Sequence, residues 1–328
     1  MRSINLKLPY LYPMNQYPIA EIVDEIKAVL NLQTTLILQA PPGAGKSTIL
    51  PLELLKSDWL GDKKIILLEP RRMAARSVAQ RMADLLDEEV GKTVGYRVRF
   101  DQRVSAQTRI EVVTEGILTR RLQQDNTLEG VGMVIFDEFH ERSLHSDLSL
   151  ALCRDLQQIL REDLRILIMS ATLDGEQLSS ILDKAPIITS KGRQYPIDVR
   201  YTAIDGNAPI SGQITSVISK TVKEETGDIL VFLPGVREIQ QTAEALTERH
   251  SDLAIRPLYG ELSLNAQQDA IKPDAQQRRK IVLATSIAET SLTIEGIHIV
   301  IDSGLARVPK FDPNSGMTKL ETVKVTQD

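Results

Sequence analysis

Thr34-Thr-Leu-Ile-Leu-Gln39-Ala40-Pro-Pro-Gly43-Ala-Gly45-Lys46-Ser47-Thr48 decides how the rest of this chain is read. The apolar run at 34–39 reads as a strand, and a helix-like stretch starts at Lys46. A glycine-containing turn ending in Gly-Lys-Ser joins them. In that context the glycines let backbone N–H groups turn inward around phosphate oxygens. A helix opening after Gly45 adds its positive N-terminal end. Lys46 would reach the outer phosphates, and the Ser47 hydroxyl offers a hard oxygen to Mg²⁺. Gly43, Ala44, Gly45, Lys46, Ser47 and Thr48 are therefore the candidate phosphate-binding residues. The strict pattern begins with glycine where this chain has Ala40, a small residue that is accepted if φ there is not positive. The bland alternative is a Gly/Pro turn before an N-capped helix.

Reading outward, short apolar runs alternate with longer amphipathic stretches. Lys64–Glu69 is strand-like and Arg71–Glu89 helix-like. Ile110–Thr114 precedes a helix from Glu115, and Met133–Asp137 precedes one around Asp147–Leu160. Arg165–Ser170 is a further strand. Such alternation predicts βαβ units and a parallel sheet. The strands are unbroken apolar runs, as expected when helices cover both faces. The pattern breaks at 191–196, which reads as a linker, or as a long loop within one domain, followed by a strand-like run to Tyr201. It then resumes with Asp228–Leu233, a helix over Gly235–Arg249, and strands at Leu253–Leu258, Lys280–Ala284 and Ile297–Ile301. The expected organisation is an N-terminal extension at 1–18 and two α/β domains at 19–190 and 191–328.

Val134-Ile-Phe-Asp137-Glu138-Phe139-His140 places two carboxylates at the end of a strand, where open α/β sheets collect their ligands. Asp137 can hold Mg²⁺, and Glu138 can orient or deprotonate an attacking water. Alone, such a pair reads as a solvated strand end; with a phosphate loop upstream it completes a phosphoryl-transfer set. A helical zinc site is excluded on spacing. His140 and His145 are five apart, about 500° round a helix, and so do not share a face.

Composition narrows the classes further. The 328 residues suffice for two medium domains, and 42% apolar with 25% charged residues is ordinary globular usage. No apolar run approaches the ~18–20 residues that span a bilayer, and residues 1–18 lack a secretory pattern. One cysteine, Cys153, excludes an internal disulfide framework and reads as a buried helix residue. Trp59 reads as packing. The net charge of −5 argues against nucleic-acid binding by bulk electrostatics. Yet Arg71–Arg121 carries eleven Lys/Arg against seven Asp/Glu; a local basic surface can coexist with an acidic total, but on charge alone a solvated helix face is the favoured reading.

The phosphate loop, the Asp137–His140 tetrad and Ser170-Ala171-Thr172 together resemble superfamily 2 helicases of the DEAH-box class. Glu69-Pro-Arg71-Arg72, Thr114-Glu-Gly116, Leu233-Pro-Gly235, the run from Ala284 to Ile294, and Val300-Ile-Asp302-Ser-Gly304 resemble further motifs of that class. DEFHERS at 137–143 with LEPRRMAARSVAQRMA at 68–83 resembles the bacterial HrpB type rather than the HrpA type. The resemblance implies two tandem RecA-like domains with parallel sheets, ATP and Mg²⁺ as cofactors, and RNA or single-stranded nucleic acid as partner. It implies an ATP-dependent RNA helicase or translocase, in which Glu138, Asp137, Lys46 and His140 carry the chemistry. Arg71, Arg72, Thr114, Gly260, Thr285 and Ser286 would meet the nucleic-acid backbone. Ser170 and Thr172 would couple nucleotide state to domain closure. Arg81, opposite Ile271, and Ser291, Thr293 and Glu295 would serve the nucleotide; Ile271 cannot stack on a base.

The arginine-rich segment that follows in the family is not found before Asp328. The expectation is an N-terminal fragment with an incomplete second domain, weakly active alone. A nucleotide-gated RNA clamp with little turnover is the competing reading; a P-loop machine acting on something other than nucleic acid is a third. A cytoplasmic bacterial protein without a membrane segment, monomeric at full length, is expected.

Overall fold

The computed structural model describes residues 16–171, 175–191, 196–289 and 294–325. The chain divides into two compact units, one running to Pro196 and the other from Ile197.

The first unit begins with a 3-10 turn at Pro18–Glu21 and α1 (Val23–Leu32). Then come β1 (Thr35–Gln39), α2 (Ile49–Leu54), β2 (Lys64–Glu69), α3 (Arg72–Leu85), β3 (Val94–Val98) and β4 (Asp101–Arg103). They are followed by β5 (Ile110–Thr114), α4 (Glu115–Gln124), β6 (Val131–Phe136), α5 (Leu144–Ile159), β7 (Arg165–Ser170), α6 (Gly175–Ile181) and β8 (Ile187–Thr189). The strands form one sheet in the order β4-β3-β5-β2-β6-β7-β1-β8. Every neighbouring pair is parallel except the β3–β4 hairpin. The apolar strands bury both faces. Leu36, Leu38, Ile65, Leu67, Met133 and Leu167 join Ile26, Val78 and Met82 on one side. Ile37, Ile66, Val134, Phe136 and Ile168 join Leu118, Leu150 and Cys153 on the other. Burial pushes the Cys153 thiol up to about 12, consistent with a packing role. Trp59 packs on the first layer with the Arg165 guanidinium 4.2 Å over its ring.

The second unit contains α7 (Ile210–Glu224), β9 (Asp228–Phe232), α8 (Val236–Arg249), β10 (Ala254–Leu258), α9 (Leu264–Ile271), β11 (Lys280–Ala284) and β12 (Ile297–Asp302). An antiparallel hairpin follows, β13 (Leu305–Asp312) and β14 (Met317–Lys324). Strands β10-β11-β9-β12 form a parallel sheet. Ile229, Val231, Ile281 and Leu283 pack there with Ile214, Ile218, Ile239 and Leu246 of α7 and α8. Lys280 is fully buried, and its ammonium donates to the carbonyls of Ile271 (3.2 Å) and Lys272 (2.8 Å) at the end of α9.

Two local expectations change. The helix expected from Lys46 starts at Ile49. Ile49 N–H bonds Gly45 O at 2.9 Å, but Leu50 N–H bonds the same oxygen, one residue out of α-helical register. Lys46, Ser47 and Thr48 therefore form a turn. The strand-like run at 197–201 is not a strand: Ile197, Val199 and Tyr201 are exposed, and no pairing is formed there among the described residues. Alternation alone does not make a strand without a neighbour to complete its ladder.

Candidate nucleotide-binding and catalytic site

Parallel strands of the first unit deliver their carboxyl ends side by side. From one direction these are β1, β7, β6, β2 and β5. The phosphate loop follows β1, Ser170 ends β7, Asp137 follows β6, Glu69 ends β2, and Thr114 ends β5 in register with Glu69.

The loop after β1 is shaped by two glycines in the left-handed region, Gly43 at φ +76° and Gly45 at φ +90°. Ala40 is not among the residues of positive φ, so its methyl is tolerated in place of glycine. Its N–H donates to Ser170 O at 3.0 Å, and Ile19 N–H donates to Ala44 O at 3.0 Å. These bonds tie the loop to β7 on one side and to the N-terminal 3-10 turn on the other.

Lys46 is almost fully buried, and its Nζ lies 2.9 Å from Glu138 Oε1 and 3.8 Å from Asp137 Oδ1. The contact is one of charge: the ammonium has no aligned hydrogen-bond partner among the described residues. Asp137 is held by its N–H to Leu68 O at 3.0 Å, and its Oδ1 accepts from Glu138 N–H at 2.8 Å. Its Oδ2 is buried and without a hydrogen-bond partner among the described residues. Glu138 adopts φ +48°, ψ 38°, an uncommon left-handed conformation for a non-glycine residue. It turns the chain off the strand into a 3-10 turn at Phe139–Glu141. His140 Nδ1 sits 3.4 Å from Glu138 Oε2 and 3.5 Å from the Ala171 N–H, bridging the ends of β6 and β7.

Sequence reasoning missed Glu69 as a member of this site. Its side chain is fully buried beside Asp137 and Glu138. Burial first, then the charge of Asp137 and that of Glu138, push its carboxyl well above the usual range, with Lys46 opposing. As a carboxylate neither of its oxygens finds a donor among the described residues. The available signal was an acidic residue closing the apolar run KIILLE.

The donor set fits Mg²⁺. Asp137 offers an orphaned buried carboxylate oxygen, and Ser47, in the turn that carries Lys46, is the residue whose hydroxyl would join it. Mg²⁺ typically takes one or two protein oxygens together with substrate phosphates. Among the described residues no cluster of three His, Cys, Asp or Glu side chains could hold a metal by itself.

Around this centre, Arg71 and Arg72 open α3, and Arg81 lies further along the same helix. Thr114 occupies the N-cap of α4 but makes no side-chain cap bond; the cap duty at α5 falls to Ser143, which accepts from Ser146 N–H at 3.0 Å. In the second unit Gly260, Thr285 and Ser286 converge at the carboxyl ends of β10 and β11. With Gly235, Tyr259 and Arg307 they line a cavity of about 240 Å³. Glu295 lies instead just before β12, near Lys280, at the amino ends of these strands. Thr172, Ser291 and Thr293 lie outside the described residues.

Residues 21–181 match the DEAD/DEAH box helicase family, and residues 212–318 match the helicase conserved C-terminal domain. The chain belongs to the DEAD/DEAH box helicases. It is 52% identical over 315 residues to the ATP-dependent RNA helicase HrpB of Escherichia coli K12, an alignment covering 96% of this chain and 39% of that protein. Against the ATP-dependent RNA helicase HrpA of the same organism it is 39% identical, covering 96% of this chain and 24% of the relative. The crystal structure of E. coli DEAH/RHA helicase HrpB superposes with a TM-score of 0.88 at 52% identity, over 95% of this chain and 40% of that one. The chain thus spans about two fifths of the length of HrpB. The two tandem α/β domains anticipated from the alternation are present, and they match the two helicase domain families that the resemblance implied. Among the described residues no helix is long and apolar enough to cross a membrane.

Proposed function

We propose that this chain is the ATP-hydrolysing motor segment of an RNA helicase, coupling Mg-ATP turnover to movement along, or unwinding of, nucleic acid. The observation that carries the reading is the buried contact of Lys46, from the loop after β1, with Asp137 and Glu138 at the carboxyl end of β6, two strands away across β7. A lysine, a metal-competent carboxylate and a candidate base, placed beside a loop with two left-handed glycines, are the parts phosphoryl transfer requires. Lys46 has donors in reserve for phosphate oxygens. Glu138, released from Lys46 when phosphates take the ammonium, orients the attacking water and accepts its proton. His140 holds Glu138 and links it to the end of β7. When bound through Asp137 and Ser47, Mg²⁺ supplies charge neutralisation at the phosphates. Ser170, Thr172, Arg81, Ser291, Thr293 and Glu295 keep their family roles as proposals.

The nucleic-acid partner is RNA or another single strand, gripped through its backbone. Arg71, Arg72 and Thr114 gather at the adjoining ends of β2 and β5, and Gly260, Thr285 and Ser286 gather at one cavity. Backbone contacts position a strand without reading it, as a motor moving along any sequence needs. Aromatic residues make up only 4% of the chain, too few for an extended base-stacking platform.

Equilibrium binding of a fluorescent ATP analogue with Mg²⁺ tests the phosphate site. Lys46→Ala is expected to weaken it at least tenfold with the fold intact. Unchanged affinity would remove Lys46 from the site.

A further inference from the structure

The loop after β2 touches the loop after β6 a second time, beyond Glu69. Arg71, the N-cap residue of α3, places its Nη2 3.5 Å from Oε2 of Glu141. The pair is partly buried, with the two side chains 29% and 21% exposed. The other Glu141 oxygen is buried and has no hydrogen-bond partner among the described residues. Glu141 is one turn from the candidate base, and its N–H donates to Glu138 O at 2.9 Å. The turn opens on Glu138 at φ +48° and closes on Arg142 at φ +44°. Two left-handed residues in five positions persist only where neighbours over-determine them. The neighbours here are Lys46 and His140 on Glu138, Arg71 on Glu141, and Asp147, which holds Arg142 through two bonds of 3.1 and 2.8 Å.

We infer that Glu141 is a built-in competitor for Arg71: its carboxylate occupies the guanidinium that a nucleic-acid phosphate takes, and the exchange releases one anchor of the turn carrying Glu138. The inference rests on the proposed backbone contact of Arg71. Carboxylate and phosphate are both oxyanions that suit the planar guanidinium fork. A partly exposed pair at this distance is weak, so phosphate displaces it readily. Nucleotide acts on the same turn from its other end, by drawing Lys46 off Glu138. The two occupants therefore influence each other's affinity by the same factor, as linkage requires. Glu141 is a positioning residue in this scheme, acting through Arg71 and Glu138.

The test is a double-mutant cycle on RNA affinity, read by fluorescence anisotropy of a labelled oligouridylate. Glu141→Gln should tighten binding about two- to fivefold, the worth of a weak ion pair. Arg71→Ala should weaken it, and in the Arg71→Ala background Glu141→Gln should have no further effect. Glu141→Asp, which keeps the charge but shortens its reach, should fall between wild type and Glu141→Gln and serves if the glutamine variant does not fold. The linkage is read in parallel from the affinity of a fluorescent ADP with Mg²⁺. RNA should change that affinity in wild type by a factor that shrinks towards one in Glu141→Gln. If Arg71→Ala weakens RNA binding while Glu141→Gln does not tighten it, the competition is refuted and the Arg71 contact stands. Tightening that persists without Arg71 is a general charge effect and also refutes it. If Arg71→Ala leaves RNA affinity unchanged, the contact itself fails and the inference with it. A nucleotide linkage unaltered in Glu141→Gln removes Glu141 from the path to Glu138.

Discussion

Gly43 and Gly45 both take positive φ in one loop, yet substitution should separate them. A methyl on Gly43 would meet nothing within 4 Å. One on Gly45 would stand 3.1 Å from Ile19 Cγ2, 3.1 Å from Ile49 Cγ1 and 3.2 Å from Tyr17 Cβ. Left-handed backbone costs an L-residue roughly 1–2 kcal/mol, and this applies to both sites. Overpacking adds about 1–3 kcal/mol, and only at Gly45, where the 3-10 turn and α2 leave no room. Gly43→Ala should therefore cost roughly 1–2 kcal/mol and Gly45→Ala roughly 2–5 kcal/mol. At about 2–4 °C per kcal/mol for a unit of this size, the expected falls in Tm are roughly 4 °C and roughly 10 °C. Trp59 is the chain's single tryptophan and belongs to the first unit. Thermal melting followed by tryptophan fluorescence thus reports on the unit holding both glycines. Equal shifts would refute the packing of residues 17–19 against the phosphate loop, and with it the role of the Ile19–Ala44 bond.

Other expectations follow from buried polar groups. The Glu69 carboxyl is raised on folding, so the native state binds its proton more tightly than the unfolded chain does. Stability is therefore lost as pH climbs from the unfolded value, about 4.3, through the folded one. Glu69→Gln should remove that decline, so in metal-free buffer the variant gains Tm over wild type as pH rises and not below about pH 4; parallel curves would show Glu69 ionised in both states. The Cys153 thiol, buried and held up to about 12, should resist an aromatic disulfide reagent in the native protein and react fully in denaturant. Lys280→Met should cost about 1–3 kcal/mol in chemical denaturation, because two carbonyls at the end of α9 lose their donor; no loss would mean water replaces the ammonium.

The glycine-shaped loop after β1 and the Asp137-Glu138 pair were legible as local features because each is a contiguous stretch beside an apolar strand. Most strands of the two parallel sheets were legible because burial on both faces writes itself as unbroken runs such as KIILLE and MVIF; β3, β4 and β8 of the first sheet were not read. What escaped depends on which strands become neighbours. Glu69 reads as a polar strand end until β2 is known to lie against β6, which carries Asp137 some seventy residues later. The Arg71–Glu141 pair has the same origin. The hairpin of β13 and β14 was missed for another reason: its strands mix charged and apolar residues on both faces and remain largely exposed. Its turn, Pro313-Asn-Ser-Gly316, was a readable signal. The segment at 197–201 erred in the opposite direction, since its alternation promised a strand for which no partner lies among the described residues.

ATP turnover with and without single-stranded RNA, in wild type and in Glu138→Gln, decides whether Glu138 drives an RNA-coupled motor, because it compares ratios and does not depend on a fast basal rate. RNA should accelerate the wild type, and Glu138→Gln should lower turnover by about 10²–10⁴ while still binding nucleotide. Turnover that survives Glu138→Gln, or that ignores RNA in the wild type, would contradict that role.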